Sequence, residues 1–314
     1  NAQNLVSRRS FLKKTAMVGV GLAAAGSLPA CAPKASGTAE PKWDKEVDVV
    51  VVGSGTVAIA AIAAKDAGVE SVLILEKGPV FGGTSSLSGG TFWIPVNYVM
   101  AANGIEDNRE DAIKYLQITA AGQSSDELIT TFVDNGNKML EWLRDKYQYE
   151  WFNSGSKGFA DYYEVDGFRL HGRTVFLSKD GKSGGAAAWQ ILRETCDTLG
   201  IEIMLETAGK ELVTNANNEV IGIKAEGVDG PLNIKAKKGV ILGTGGFDFN
   251  KAMTTTYLRG PIMASVSVQT NTGDGHLMGM ALGADLRNMN SCWGLPCMPI
   301  DPETLKGEAD WQMY

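Results

Sequence analysis

Gly53, Ser54, Gly55 and Ala58, followed by Glu76, are the residues of this chain whose types and spacing can do chemistry. That chemistry is the binding of a dinucleotide. Gly53 permits a tight turn, and Gly55 lets backbone N–H groups approach a pyrophosphate at a helix N-terminus. Ala58 takes the place of a third glycine and still lets helix pack close on strand. Glu76 stands where a carboxylate accepts hydrogen bonds from a ribose. The alternative is a glycine-rich turn in an α/β domain that binds no nucleotide. The order of strand, glycine turn, helix, strand and acidic residue weighs against it.

The elements that must position these residues are visible around them. Val47 and the run Val49–Val52 read as a strand buried on both faces. A helix is expected from Val57 to Ala67, closed by Gly68. A second strand, Val72 to Leu75, delivers Glu76 at its end. NAD and FAD share this unit, so the following segment decides between them. Gly82, Gly83, Thr84 and Ser85, then Ser88, Gly89 and Gly90, read as a loop of small and hydroxyl residues. Such a loop lets amides and hydroxyls lie against a flat ring system, as a flavin needs. Phe81, Leu87, Phe92, Trp93 and Ile94 supply apolar anchors that a surface linker would lack.

Farther along, Asn108 is placed to cap a helix bearing Ile113, Leu116 and Ile118. Ser124 with Glu127 reads as a capping box before a longer helix, whose apolar stripe runs from Leu128, Ile129, Phe132 and Val133 to Met139, Leu140 and Leu143. Residues 148–185 read as one irregular, aromatic, glycine-rich stretch, the kind of long loop that usually carries function. A helix from Ala186 to Leu199 follows, then strands, with Asn217-Asn218 as a hairpin signal. A separate apolar strand from Gly239 runs into Gly243, Thr244, Gly245 and Gly246, which would return to the cofactor. Asp274 opens a last helix; capping and cofactor contact both suit it.

The N-terminus reads as an address. Ser7-Arg8-Arg9-Ser10-Phe11-Leu12-Lys13 has the order of a twin-arginine export signal, and the apolar run after it is too short to remain as a membrane anchor. Leu28-Pro29-Ala30-Cys31 resembles a lipoprotein processing site, which would attach a lipid to Cys31; a cut without lipid is the alternative. The expected plan is a signal at 1–31, a tether at 32–44, a cofactor domain at 45–290 and the start of a second domain at 291–314. The chain begins without Met and stops without a terminal signal, which suggests a piece of a longer protein. The expected location is periplasmic, or the outer face of the cell membrane. The net charge is −7, and all four basic residues before Cys31 belong to the signal, so the remainder is more acidic still. That balance argues against a nucleic-acid partner. Two His and four Cys, without ligand spacing, argue against a metal site; a Cys292–Cys297 disulfide stays open.

From Glu46 to Leu295 the chain resembles the FAD-dependent flavoproteins grouped with fumarate reductase and succinate dehydrogenase, and within them the 3-oxosteroid dehydrogenases of the Δ1 type. The resemblance rests on GSGTVA, Glu76-Lys77, GGTSSLSGG, LETAGKEL, GVILGTGGF and NTGDG, which in that family serve FAD; it thereby adds Lys77 and Ala208 to the cofactor residues. It implies an α/β, Rossmann-like FAD-binding domain of the GR2 type, with the substrate (capping) domain largely missing. Asp161-Tyr162-Tyr163 is similar to the steroid branch's triplet, whose first Tyr assists the catalytic Tyr; that position is Tyr162. The competing reading of Tyr162 is a loop aromatic packed on core, and of Arg173 a loop anchor. Asn290–Pro296 holds no His where the fumarate reductases carry one, and no His in Ser85–Gly90 matches a covalent flavin link, so non-covalent FAD is implied.

The resemblance implies oxidation of a carbon–carbon bond beside a carbonyl, on a steroid-like ketone. A Tyr base takes the proton that the carbonyl acidifies, and the hydride leaves for the flavin. In the family the proton-abstracting Tyr lies downstream, so this piece alone is expected to be inactive. The alternatives are an exported reductase of enones or unsaturated carboxylates, fed by a quinol or cytochrome, and a lipoprotein that binds FAD without turnover.

Overall fold

Residues 40–153, 160–178, 181–260, 262, 265–292, 297–299 and 311–313 are described by the computed structural model. The export signal, Cys31, most of the tether and Trp293–Pro296 lie outside them. Strand β1 (Lys45–Val52) is the centre of a six-stranded sheet. Its valines are buried on both faces because parallel neighbours flank it: β2 (Val72–Leu75) pairs Val50 with Leu73, and β9 (Gly230–Leu242) pairs Val50 with Val240. The order is β6 (Glu202–Met204), β2, β1, β9, β8 (Val220–Gly227), β7 (Ala208–Thr214). The first four run parallel, and β9, β8 and β7 form an antiparallel meander.

A bulge at Asp48 resets the side-chain alternation of β1. The N–H groups of Asp48 and Val49 both donate to Ser71 O, and the pairing with β9 shifts register between Val47 and Val49. Val47 therefore shares a face with Val50 and Val52, together with Leu73, Leu75, Ile223 and Met278. Val49, Val51, Val72 and Ile74 face the other way, onto Ala58 and Ile62 of α1 (Ala58–Asp66) and Leu192 and Cys196 of α6 (Gly185–Thr198). Each such aliphatic side chain, fully buried, contributes about 1.5–3 kcal/mol of transfer free energy.

The second sheet is small and antiparallel, ordered β3 (Thr91–Trp93), β5 (Thr174–Ser178), β4 (Glu150–Phe152). Strands β4 and β5 correct the reading of 148–185 as wholly irregular. An aromatic series ties this sheet to α6 and α5 (Asp126–Tyr147): Trp189 stacks on Phe92, and Phe92 meets Trp151 edge-on at 5.1 Å. Tyr149, Tyr147 and Trp142 continue it.

Other expectations are met or corrected locally. Asn108 caps α4 (Arg109–Ala120), accepting from Asp111 N at 2.8 Å. The cap of α5 is Ser125, not Ser124; its Oγ accepts from Leu128 N, and Leu128 holds the position where a capping box needs Glu. Leu87, Leu128 and Phe132 are exposed, so they anchor no core. The segment read as a loop after Gly82 contains the short helix α2 (Gly83–Leu87). Strand β9 is one continuous element, so no separate strand starts at Gly239. Cys292 is a free, exposed thiol, which leaves no Cys292–Cys297 bridge. The remaining elements are α3 (Tyr98–Ala102), α7 (Lys251–Tyr257), α8 (Asp274–Ala281) and the antiparallel pair β10 (Cys297–Pro299) and β11 (Trp311–Met313).

Candidate cofactor site

The parallel strands β1, β2 and β9 end at one edge, and a cleft opens there. Gly53 leaves β1 at φ +104°, a backbone geometry that side chains rarely adopt. Its N–H donates to Leu75 O at 2.7 Å. A Cβ on Gly53 would sit 2.2 Å from Gly243 O, so the two glycines let β1 and β9 run into the cleft side by side. Ala58, fully buried, lets α1 lie against the sheet.

The turn leaves donors unused. Among the described residues the N–H groups of Gly55, Thr56 and Val57 have no acceptor, and all three residues line the cleft. They stand at the positive end of α1, where a phosphate anion is stabilised. Gly83, Thr84 and Ser85 of α2 close the cleft from the other side. Ser85 Oγ is 3.3 Å from Thr56 Oγ1. Thr84 Oγ1 accepts from Asn271 Nδ2 at 3.1 Å and Val268 N at 3.2 Å.

Glu76 is buried and held by protein donors. Oε2 accepts from Ser54 N at 3.0 Å and Ser54 Oγ at 2.5 Å, and Oε1 from Gly78 N at 2.7 Å. Ser54 Oγ also accepts from Gly82 N at 2.7 Å, which ties the first glycine turn to the second. A carboxylate offers about four acceptor sites, so one remains for a hydroxyl in the cleft. Lys77 Nζ donates to Thr272 Oγ1 at 2.6 Å and Asp274 Oδ2 at 2.8 Å. That ion pair fastens the end of β2 to the first turn of α8, and Asp274 suits the helix dipole there.

The structure brings together Gly53, Ser54, Gly55, Glu76, Lys77, Gly83, Thr84, Ser85, Thr244, Gly245 and Asp274 around one cleft. Ser88, Gly89, Gly90, Ala208 and Gly246 do not line it. Ser88 Oγ instead donates to Ser85 O at the end of α2, and Gly90 passes over the Gly184 and Gly185 backbones, where a Cβ would meet Gly184 C at 2.4 Å. Ala208 sits between two lining residues, Thr207 and Gly209, as strand alternation requires. Thr207, Gly209, Val268 and Thr270 also line the cleft; Thr207 and Gly209 belong to the LETAGKEL segment on either side of Ala208, whereas no motif pointed to Val268 and Thr270. Gly246 accepts Gly273 N, which locks the two glycine segments together.

Tyr162 lies outside the cleft lining, and 66% of its surface is exposed. That rules out the reading of an aromatic packed into core. Arg173, 1% exposed, is the loop anchor: it is paired with Asp107 and Asp161. His171 is exposed, and His276 stands half-buried in the first turn of α8, edge-on to Phe247 at 5.6 Å.

These features have counterparts in known proteins. The chain is 29% identical to a 3-oxosteroid 1-dehydrogenase of Mycolicibacterium smegmatis, over 82% of this chain and 57% of that protein. It is 30% identical to the acrylate reductase flavoprotein subunit of Shewanella woodyi, over 90% of this chain and 55% of that one. The fold superposes on a 3-ketosteroid Δ1-dehydrogenase of Sterolibacterium denitrificans with a TM-score of 0.77 and 25% identity, covering 86% of this chain and 59% of the other. The chain thus spans a little over half the length of these relatives. A family model described as an FAD binding domain matches residues 48–305. Free amides for a pyrophosphate and a buried carboxylate for a ribose are what FAD requires of such a cleft. The chain belongs to the FAD binding domain family, and FAD is its cofactor.

Proposed function

We propose that the full protein is an FAD-dependent oxidoreductase acting on a carbon–carbon bond beside a carbonyl, with a steroid-like ketone as substrate. The observation that carries this reading is the similarity, over more than four-fifths of the chain, to a 3-oxosteroid 1-dehydrogenase. Bound FAD supplies a two-electron acceptor for the hydride that leaves the substrate. The chain's own residues hold that cofactor without a covalent link: α1 presents Gly55, Thr56 and Val57 amides, Glu76 takes a hydroxyl, and Lys77–Asp274 closes the far wall. Tyr162 serves the substrate side, its exposed phenol supporting a base that other residues supply.

A second reading draws on the similarity to the acrylate reductase flavoprotein subunit. In it, the protein is exported by the twin-arginine route, is lipidated at Cys31, works in the periplasm or on the outer face of the membrane, and takes electrons from a quinol or cytochrome to reduce an enone or unsaturated carboxylate.

Anaerobic absorbance of the full-length, FAD-loaded protein separates the two. Bleaching of oxidised flavin by a saturated-ring 3-ketosteroid supports the first. An oxidised flavin left unmoved, with dithionite-reduced protein reoxidised by acrylate or an enone, replaces it with the second. No response in either direction leaves a binding protein without turnover.

A further inference from the structure

The base of the loop carrying Tyr162 is a buried charge network. Arg173 Nε and Nη2 donate to both oxygens of Asp107 at 2.9 and 2.7 Å, and Nη1 donates to Asp161 Oδ2 at 2.8 Å. The side chains of all three are 1–2% exposed. Asp161 takes further donors: Trp93 Nε1 at 2.7 Å on Oδ1 and the Arg169 N–H at 2.9 Å on Oδ2. Its own N–H donates to Arg169 O at 3.0 Å. The Arg173 guanidinium also lies 5.5 Å from the Trp93 ring and 5.6 Å from that of Tyr115. Tyr115 stacks on Trp93, and its Oη accepts the N–H of Tyr162 at 3.1 Å.

Tyr162 is therefore fixed at its backbone from two sides, by Asp161 before it and by Tyr115 across from it. Its phenol makes no hydrogen bond among the described residues and projects outward. Burying three charges for packing alone is a poor use of a core, because an apolar substitute of the same shape stabilises as well or better. What the planar guanidinium adds is geometry: a two-pronged grip on Asp107 with one donor left to set the angle of Asp161. Trp93 follows two residues after the start of β3, which leads directly from the α2 side of the cleft. The frame that holds Tyr162 is thus built on the strand that follows, after Ser88–Gly90, the helix walling the cleft.

We propose that Arg173 and Asp161 are positioning residues for Tyr162, fixing the stretch of backbone from which its phenol projects. The proposal rests on the reading above, in which Tyr162 serves the substrate.

The test uses full-length, FAD-loaded protein and the variants Arg173→Lys and Trp93→Phe, each alone and with Tyr162→Phe. Arg173→Lys keeps the charge and loses the fork; Trp93→Phe removes one donor to Asp161 and keeps the ring. Each single variant is expected to lower kcat on the ketone by about tenfold while flavin content is retained, and to add less than about twofold in the Tyr162→Phe background. Amide hydrogen exchange at Asp161 and Tyr162 is expected to quicken by about tenfold or more in both, with or without substrate. If Arg173→Lys does not fold, Trp93→Phe decides. Unchanged turnover in Tyr162→Phe overturns the role of Tyr162, and the proposal with it. A loss in Tyr162→Phe with costs that multiply, or with unchanged amide exchange, overturns the positioning role alone.

Discussion

Gly53 and Gly243 meet so closely that a side-chain carbon on the first would lie 2.2 Å from the carbonyl oxygen of the second. The contact joins the ends of β1 and β9 at the mouth of the cleft, and Gly53 is held at φ +104° besides. Gly53→Ala meets both penalties at once. A side chain in a left-handed backbone costs roughly 1–2 kcal/mol, before any displacement of β9. We expect Gly53→Ala protein to be purified without flavin and to unfold at lower urea. Yellow, fully loaded protein would contradict this.

Glu76 is the second point of leverage. Three donors from Ser54 and Gly78 converge on its carboxylate. Glu76→Gln turns one acceptor oxygen into a donor facing donors. A buried polar group left in that state costs about 1–3 kcal/mol. Both urea stability and FAD affinity should fall, because the same carboxylate spans the turn and the ribose position. A loss of affinity with unchanged stability would mean that the internal hydrogen bonds contribute nothing.

Thiol chemistry gives a direct reading of the core. Cys196 is fully buried against β1 and α1, and burial pushes its thiol up to about 12. Cys292 is exposed. Alkylation at pH 8, followed by peptide mass spectrometry, should label Cys292 within minutes and Cys196 only after urea unfolding. Equal labelling in the native protein would show that α6 does not pack as described.

Stability should fall at both ends of the pH range. Hydrogen bonding from Lys146, then from Trp142 and Tyr147, holds Asp66 below the usual carboxylate range. Arg169, then Asn108, does the same to Asp111. A carboxyl group lowered on folding stabilises the protein above its unfolded value, near 3.9. That contribution is lost as pH falls through the lowered value. Tyr147 is pushed up to about 12 by burial first and by Asp66 second, so its contribution is intact below 10.0 and is lost as pH rises through about 12. Urea midpoints should be flat between these limits and drop beyond them. Asp66→Asn should lower the midpoint at neutral pH and reduce both slopes, since Asp66 takes part at both ends. A variant with wild-type slopes would remove Asp66 from the account.

How much of this was legible beforehand depends on where each residue's constraint comes from. Val49–Val52, Gly53, Gly55 and Glu76 are written locally: burial on both faces selects the valines, a turn selects the glycines, and a strand end places the acid. Asn108 was legible for the same reason, because a cap acts within three residues. Val268 and Thr270 were not legible, since only the fold carries them to the cleft wall and nothing in their own spacing requires it; the LETAGKEL segment was legible, but not that Thr207 and Gly209, rather than Ala208, face the cleft. Strand β4 is three residues long and owes its identity to pairing with β5. Helix α2, built of Gly, Thr and Ser, contradicts its own propensities and exists because Gly82 and Ser54 pin its start. Ser124 and Ser125 are adjacent and alike, so only the helix phase could choose between them.

Strand β9 also governs when this molecule can become whole. The central strand β1 is made at residues 45–52, yet its partner β9 comes at 230–242, and the Lys77–Asp274 tie comes later still. During synthesis β1 must wait with one edge open, an invitation to wrong partners, until most of the described chain has left the ribosome. The wall of the cofactor cleft is accordingly completed late, and a chain stalled before residue 274 lacks both Asp274 and its tie to Lys77.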